Sequence, residues 1–438
     1  MSTRRQFMKQ VAGSSAAGVT AVSALSRARA AGANERVRTA MIGLGGQGSN
    51  LLNAFLSLDN VDVAYVCDPD EARLVAARDK ADNRPQAVTD LRKILDDNSV
   101  DAVVIATPDH WHAPAAILAC DAGKHVYVEK PCSHNLRESR LLLDAARRNE
   151  RVVQHGTDMR TYSLIAGAVQ MLREGRIGDV LMAKAWNVQR RANIGHSQPS
   201  SVPDGVDYDM WVGPAEMVPF QENRFHYNWH WWYNFGTGDI GNDGAHEIDY
   251  ARWGLGVEGL PSKVMALGGK YFHDDDQEFP DTAMCLFEYP GNGDVGQRRQ
   301  LVFEMRLWDT TYPYNCDSGV EFYGTHGRLM VSKRGKVEVI DEQNQRDTNP
   351  TPKEPPQLTA PNHYLDFIDA IKTGRRPNAD IEIGHASVAP IHLGNIAVRL
   401  GRSLEFDPQT EEIINDAEAN VLLGRQYRDG GHWAMPRG

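Results

Sequence analysis

Three short stretches of the sequence carry residue types and spacings with chemical consequences. The first is Gly43-Leu44-Gly45-Gly46-Gln47-Gly48. In a G-x-G-x-x-G loop the first glycine permits a tight turn, the second admits a pyrophosphate close to the backbone, and the third lets helix pack on strand. Phosphates then meet the free N–H groups and the positive dipole end of that helix. The second is an acid, Asp68, twenty residues beyond Gly48, where a carboxylate accepts hydrogen bonds from an adenosine ribose. An acid there repels a 2′-phosphate and so favours NAD, while nearby Arg73 softens the preference and keeps NADP in play. Asp68-Pro69-Asp70-Glu71 also reads as a helix start, so a capping role stands beside the ribose role. The third stretch is Glu129-Lys130-Pro131. A lysine at a strand end beside a nicotinamide holds a substrate hydroxyl and favours its developing alkoxide. On its own, Lys-Pro after a strand is simply a turn.

These residues act together only if the backbone brings them to one edge. Residues 38–42 form an apolar strand running into the glycine loop, and Leu51, Leu52, Ala54, Phe55 and Leu58 follow at helical spacing. A second strand covers 61–67 and ends at Asp68, a helix lies near 88–96, and a buried strand covers 102–106. The Thr107-Pro108 turn leads to a helix through 113–122, a strand over 125–128, a helix over 136–148 and a strand at 152–154. This alternation predicts an α/β fold with a doubly wound parallel sheet. Ligands of such sheets bind beyond the carboxyl ends of the strands. That edge carries Asp68, Thr107-Pro108 and Lys130.

The glycine loop, Thr107-Pro108-Asp109-His110-Trp111-His112, Glu129-Lys130-Pro131, and the run from Gly236 through His246 to Asp249 resemble the glucose–fructose oxidoreductase/inositol dehydrogenase (Gfo/Idh/MocA) family. The resemblance covers roughly 36–425. It implies a Rossmann NAD(P)-binding domain over 36–155 and a substrate and oligomerisation domain over 156–425, built on an open, mainly antiparallel sheet. Strand-like runs at 180–188, 262–272, 282–289, 299–308, 319–323 and 328–340 agree with this, and helices at 363–373 and 386–400 close that second domain. In the family such an open sheet face commonly becomes an oligomer interface, so a homo-oligomer is expected.

By the same resemblance Gly43, Gly45, Gly46, Gln47, Gly48, Asp68, Thr107, Pro108, His112, Glu129 and Lys130 hold the cofactor, and Lys130 and His246 are the catalytic pair. His246 takes the hydroxyl proton while hydride leaves the same carbon, a task suited to a group titrating near neutral pH. The family usually has Asp four residues before this histidine, one helical turn away, to orient it. Here that position is Asn242, which keeps a hydrogen bond, loses the charge and lowers the basicity of His246. The departure favours an internal redox cycle on a retained cofactor over ordinary dehydrogenase turnover. Asp243 is adjacent, about 100° further round a helix, and is assigned to the substrate. So are Trp229 and His230, from the aromatic run 225–233, and Arg160, at the start of the second domain. Core packing is the competing role for those rings. His226 and His230 have metal-compatible spacing, but no third ligand accompanies them, so no metal is expected.

Residues 1–30 stand apart. Arg4-Arg5 precedes a weakly apolar, small-residue stretch over 11–25, and Ala28-Arg29-Ala30 offers a small-x-small cleavage site. The order resembles a twin-arginine leader, which implies export of a folded, cofactor-loaded protein to the periplasm. The apolar run is too short and too rich in Gly, Ser and Ala for a stable membrane anchor. Removing 1–30, with five basic and no acidic residues, takes the formal charge from −11 to −16. This balance argues against a nucleic-acid partner. The five cysteines form no CxxC pair and read as buried thiols. Together these features predict an exported NAD(P)-dependent oxidoreductase acting on a CH–OH group of a carbohydrate. The rival is a glycosidase or lyase that uses NAD in a transient oxidation. A third reading is a non-catalytic sugar- or nucleotide-binding relative; Lys130 and His246 oppose it, and Asn242 favours it.

Overall fold

Strand β1 (Val37–Ile42) is almost wholly buried and ends in a turn that only glycine fits. Gly43 has φ +87°, and a Cβ there would lie 2.5 Å from the Ala106 carbonyl oxygen. In the computed structural model, which describes residues 36–437, this turn feeds helix α1 (Gly46–Leu56). The expected leader, 1–30, lies outside the described residues. There follow β2 (Val61–Cys67), α2 (Glu71–Lys80), β3 (Gln86–Val88), α3 (Arg92–Leu95), β4 (Ala102–Ile105), α4 (Asp109–Asp121), β5 (His125–Val128), α5 (Leu136–Arg148) and β6 (Val153–His155). The six strands are parallel in the order β3-β2-β1-β4-β5-β6. That order reverses direction between β1 and β4, the place where ligands of such sheets bind.

The expected helix near 88–96 is instead the short strand β3 and the four-residue α3. Asp90 breaks the run, accepting bonds from the Arg92 backbone and guanidinium.

The second half contributes α6 (Ser163–Arg173), β7 (Val180–Val188), α7 (Tyr208–Val212), α8 (Gly238–Asn242), α9 (Gly244–Leu255), β8 (Lys263–Gly269), β9 (Thr282–Tyr289), β10 (Arg299–Arg306), β11 (Ser318–Gly324), β12 (Gly327–Ser332) and β13 (Lys336–Asp341). The run read as one strand over 328–340 is thus two, folded back at Gly335, whose φ is +87°. After β14 (Arg346–Asp347) come α10 (His363–Thr373), α11 (Ile381–Leu400), β15 (Leu404–Asp407), β16 (Glu412–Ile413) and α12 (Ala417–Val421). The ten-stranded sheet runs β14-β13-β12-β11-β7-β10-β9-β8-β15-β16 and is antiparallel except where β7 meets β10. Helices α9 and α11 pack on one face. On the opposite face Met265, Leu267 and Met284 are exposed.

Two packing choices tie the halves together. Helix α11 lies against α5, β6, β8 and α9, and begins five residues earlier than expected, capped by Asp380. Gly384 sits there because a Cβ would lie 3.0 Å from the His155 side chain. Helix α10, grouped by sequence with the second domain, instead places Phe367 and Ile368 in one core with Phe55 and Tyr127. All five cysteines are buried and unpaired.

Candidate active site

A cavity of about 510 Å³ opens at the carboxyl ends of the first sheet and is closed on its far side by the second domain. Gly45, Gly46, Thr107 and Lys130 lie on one wall; Trp229, His230, Asn242, Asp243 and His246 lie on the other. Behind Gly45, Arg73 and Thr107 it continues into a hollow of about 50 Å³, bordered by Asp68, Leu91, Trp111, Met210 and Trp211. The segment around α7 straps this deep end. Asp207 N–H donates to the Pro69 carbonyl at 2.9 Å, and Gly205 O accepts from Glu71 N–H at 3.0 Å. The Trp111 indole donates to the Trp211 carbonyl at 3.0 Å.

The glycine loop is built for close approach. A Cβ on Gly48 would fall 2.0 Å from the Gly43 carbonyl oxygen, whereas one on Gly46 would meet nothing within 4 Å. Gly46 therefore leaves open floor at the start of α1, where free N–H groups attract anions. Asp68 props the loop: its Oδ2 accepts from Leu44 N–H at 2.7 Å and its Oδ1 from Asp70 N–H at 3.0 Å. Burial raises its pKa, opposed by Arg73 and these two N–H groups. The expected capping role falls to Asp70, which accepts from the first turn of α2. Gln47 donates to Glu129 at 2.9 Å, joining loop to β5. His112 staples two turns, its ring nitrogens 2.6 Å from the Pro131 carbonyl and 2.8 Å from that of Thr107. The Thr107 hydroxyl is buried without a partner. Open floor, unspent hydroxyl and acid at the end of β2 fit a nicotinamide dinucleotide. Gly48→Ala forces backbone off backbone and is expected to abolish nucleotide retention, read as loss of the nucleotide band from the purified protein.

At the mouth, Lys130 Nζ donates to Asn242 O at 2.7 Å and to Asn242 Oδ1 at 3.2 Å. Asn242 Nδ2 donates to the buried Asp239 at 3.0 Å. The expected contact of Asn242 with His246 is absent. The backbone tightens at Asp243, where His246 N–H bonds to Asp243 O, three residues back, so Asn242 is not stacked one regular turn below the imidazole. Asn242 positions Lys130 instead. Its amide also has a local reason: a carboxylate there would face that of Asp239, and two such groups about 3 Å apart cannot both ionise. Asn242→Asp is expected to cost about 1–3 kcal/mol at pH 8 and less at pH 5, measured by denaturant titration at both values.

Asp243 turns to the cavity, held by Arg191 and Gln189. Burial opposes its charge, but Arg191, Lys333 and Lys130 hold its carboxyl well below the usual range. Lys333, from the turn after β12, lies 2.9 Å from buried Glu247. His246 is pushed well below the usual imidazole range by burial first, then by Lys333 and Lys130, with Asp243 opposing.

Arg160 does not reach the cavity. It makes a buried two-pronged pair with Asp249 on α9, at 2.9 Å, because Asp249 is fully enclosed and needs a cation. Trp229 and His230 do line the cavity, while Phe225, Trp231 and Trp232 are core. Burial pushes His230 down to about 3. Among the described residues no group of three or more His, Cys, Asp or Glu is placed to hold a metal ion.

Several lining residues escaped sequence reasoning. Asp109 is buried, accepts from the Thr237 hydroxyl at 2.6 Å, and is pushed up to about 7 by burial. Its only signal was membership of the Thr107–His112 motif. Asp158 lies two residues before Arg160, with no signal of its own in the sequence. Tyr227 adjoins the assigned aromatic pair, and Tyr364 arrives from α10 with no local signal.

Comparison with known proteins agrees with this layout. The family model described as "Oxidoreductase family, NAD-binding Rossmann fold" matches residues 37–157, and that family's "C-terminal alpha/beta domain" matches 183–278 and 320–434. An uncharacterised oxidoreductase of Streptococcus pneumoniae is 23% identical over 69% of this chain and 68% of its own. A glycosyl hydrolase family 109 protein of Shewanella is 31% identical, but over only 34% of this chain and 35% of its own length. Among solved structures, the aldose-aldose oxidoreductase of Caulobacter crescentus, complexed with glycerol, superposes with TM-score 0.64 at 18% identity, covering 85% of this chain and all (100%) of that one. Levoglucosan dehydrogenase in complex with NADH does so with TM-score 0.65 at 20% identity, over 84% and 99%. With both of its domains matched in order, and with the glycine loop, Lys130 and His246 meeting at one cavity, the chain belongs to the Gfo/Idh/MocA family of NAD-binding oxidoreductases.

Proposed function

We propose that the protein oxidises a hydroxyl-bearing carbon of a sugar, polyol or sugar derivative, and does so outside the cytosol. The observation that carries the first part is that Lys130 and His246 line the same cavity as Gly45, Gly46 and Thr107. A nicotinamide dinucleotide, when bound, supplies the hydride acceptor. Gly45, Gly46, Gln47 and Thr107 hold its phosphates and Asp68 its adenosine ribose, with Pro108, His112 and Glu129 fixing the turns around it. Lys130 Nζ, aimed by Asn242, holds the substrate oxygen and favours its negative charge. His246 accepts the hydroxyl proton at Nε2, since its Nδ1 is buried. Trp229, His230 and Asp243 wall the sugar, with the Asp243 carboxylate accepting hydrogen bonds from its hydroxyl groups.

The experiment is to denature purified protein, identify any released nucleotide by mass spectrometry, and follow nicotinamide absorbance of the intact protein with a panel of neutral sugars. Bound or bindable NAD that a sugar reduces supports the reading; a protein that neither carries nor binds the nucleotide ends it. The stretch of similarity to glycosyl hydrolase family 109 favours a second reading, in which oxidation is transient and a glycoside is cleaved. Cleavage without net reduction of NAD would select it.

The twin-arginine-like leader supports export after folding; an N-terminus at Ala31 in the mature protein checks it. The exposed Met265, Leu267 and Met284 support a homo-oligomer through the open sheet face. Leu267→Arg is then expected to lower the mass measured by light scattering.

A further inference from the structure

Asn242, and not a carboxylate, stands four residues before His246, and the nearby acids are already committed. Asp239 serves Asn242 and Arg191, Asp243 serves Arg191 and Gln189, and Asp249 serves Arg160 and Ser387. One is left. Asp158 lies in a short 3₁₀ turn, Asp158–Thr161, just after β6. Its Oδ1 is 3.6 Å from His246 Nδ1, and among the described residues it is the only carboxylate within ion-pair distance of that ring. Both atoms are buried, and neither has a hydrogen-bond partner. Two unsatisfied polar atoms facing each other across 3.6 Å are one small closure from a hydrogen bond. Catalytic contacts of this kind tighten as substrate binds.

The neighbourhood holds that geometry. Arg160, in the same turn as Asp158, is clamped in two-pronged fashion to Asp249, three residues beyond His246 on α9. It also sits 5.2 Å over the Trp253 ring of the same helix. The Arg160–Asp249 pair therefore fastens the turn bearing Asp158 to the helix bearing His246. We infer that Asp158 is the positioning residue for His246, holding the ring proton on Nδ1 so that Nε2 faces the cavity as a bare base. This rests on the proposed role of His246 as the base. A carboxylate can only accept, so it selects one tautomer; an amide offers both a donor and an acceptor and selects neither. The other charged or titratable groups facing the ring are Lys130, Lys333, Asp243 and His155.

The test is Asp158→Asn, with His246→Gln used to assign the ring signals, in full-length protein labelled with ¹⁵N-histidine. In the wild type a single Nδ1–H tautomer is expected for His246 at pH 8, and in Asp158→Asn a mixture of the two. With a sugar that turns over, kcat is expected to fall at least about tenfold with KM within about twofold. Identical ring shifts in wild type and variant would overturn the inference, as would a rise in KM at unchanged kcat, which makes Asp158 a substrate contact. The tautomer is read without substrate, so a wild type inert toward every sugar would count against the proposed oxidation alone.

Discussion

Lys130→Met stops the chemistry and spares the nucleotide. Nicotinamide reduction by substrate is expected to fall by about 10²–10³-fold, the cost of losing one preorganised donor to a developing oxyanion. Methionine keeps the length and apolar stem of the side chain but not its ammonium. Two bonds are lost, to Asn242 O and Asn242 Oδ1, both on the substrate side of the cavity. The loop built on Gly43 and Gly48, the Asp68 prop and the Gln47–Glu129 link do not involve the ammonium. Nucleotide content, measured by mass spectrometry of the denatured variant, should therefore match wild type. Turnover within threefold of wild type would remove Lys130 from the mechanism.

His246→Ala is the second large loss, about 10²–10⁴-fold, as expected for deletion of a general base. Here the pH profile adds a signature. An imidazole in an unfolded chain protonates near pH 6.5. In the folded protein burial, Lys333 and Lys130 push His246 well below that value, with Asp243 opposing them. The unprotonated base is present at every pH above the lowered pKa, so wild-type turnover should stay level from neutral pH to well below 6.5 and then fall. His246→Ala should lack that acid limb. Stability follows the same sign. Below about 6.5 the unfolded chain binds a proton that the folded chain does not, so stability drains as pH falls. Urea midpoints at pH 5 and 7.5 should differ less in the variant than in wild type.

The first sheet is legible because β1, β4 and β5 are largely buried apolar runs and β2 is mostly apolar with an exposed Asp62, each punctuated by glycine or Pro-containing turns. Strand β3 was not, since three residues at a sheet edge leave no periodicity to read. The start of α11 was obscured by Gly384, which disfavours a helix locally but is required by the close approach of His155. In the site, residues anchored by local backbone geometry were readable: the glycine loop, Thr107-Pro108 and Glu129-Lys130-Pro131. Partnerships between distant segments were not. Arg160 reads as a substrate residue because nothing in its neighbourhood announces Asp249, and Asn242 pairs with His246 only where a regular helix runs through Asp243, which the tightened backbone there prevents. Lys333 bears on His246 from a strand end more than eighty residues away, a distance at which spacing carries no information.

The placement of α10 bears on how the protein is made. Phe367 and Ile368 complete the core that Phe55 and Tyr127 begin, yet the ribosome reaches them more than two hundred residues after β6. A nascent chain that has just finished its first six strands still has this apolar face bare. Such a face is open to chaperones and to other chains until residue 373 has emerged. Isolating the first six strands by truncation at 155 should accordingly give a sticky, poorly soluble fragment. The moment at which the first core is complete is then set by a helix that lies far along the chain from the strands it covers.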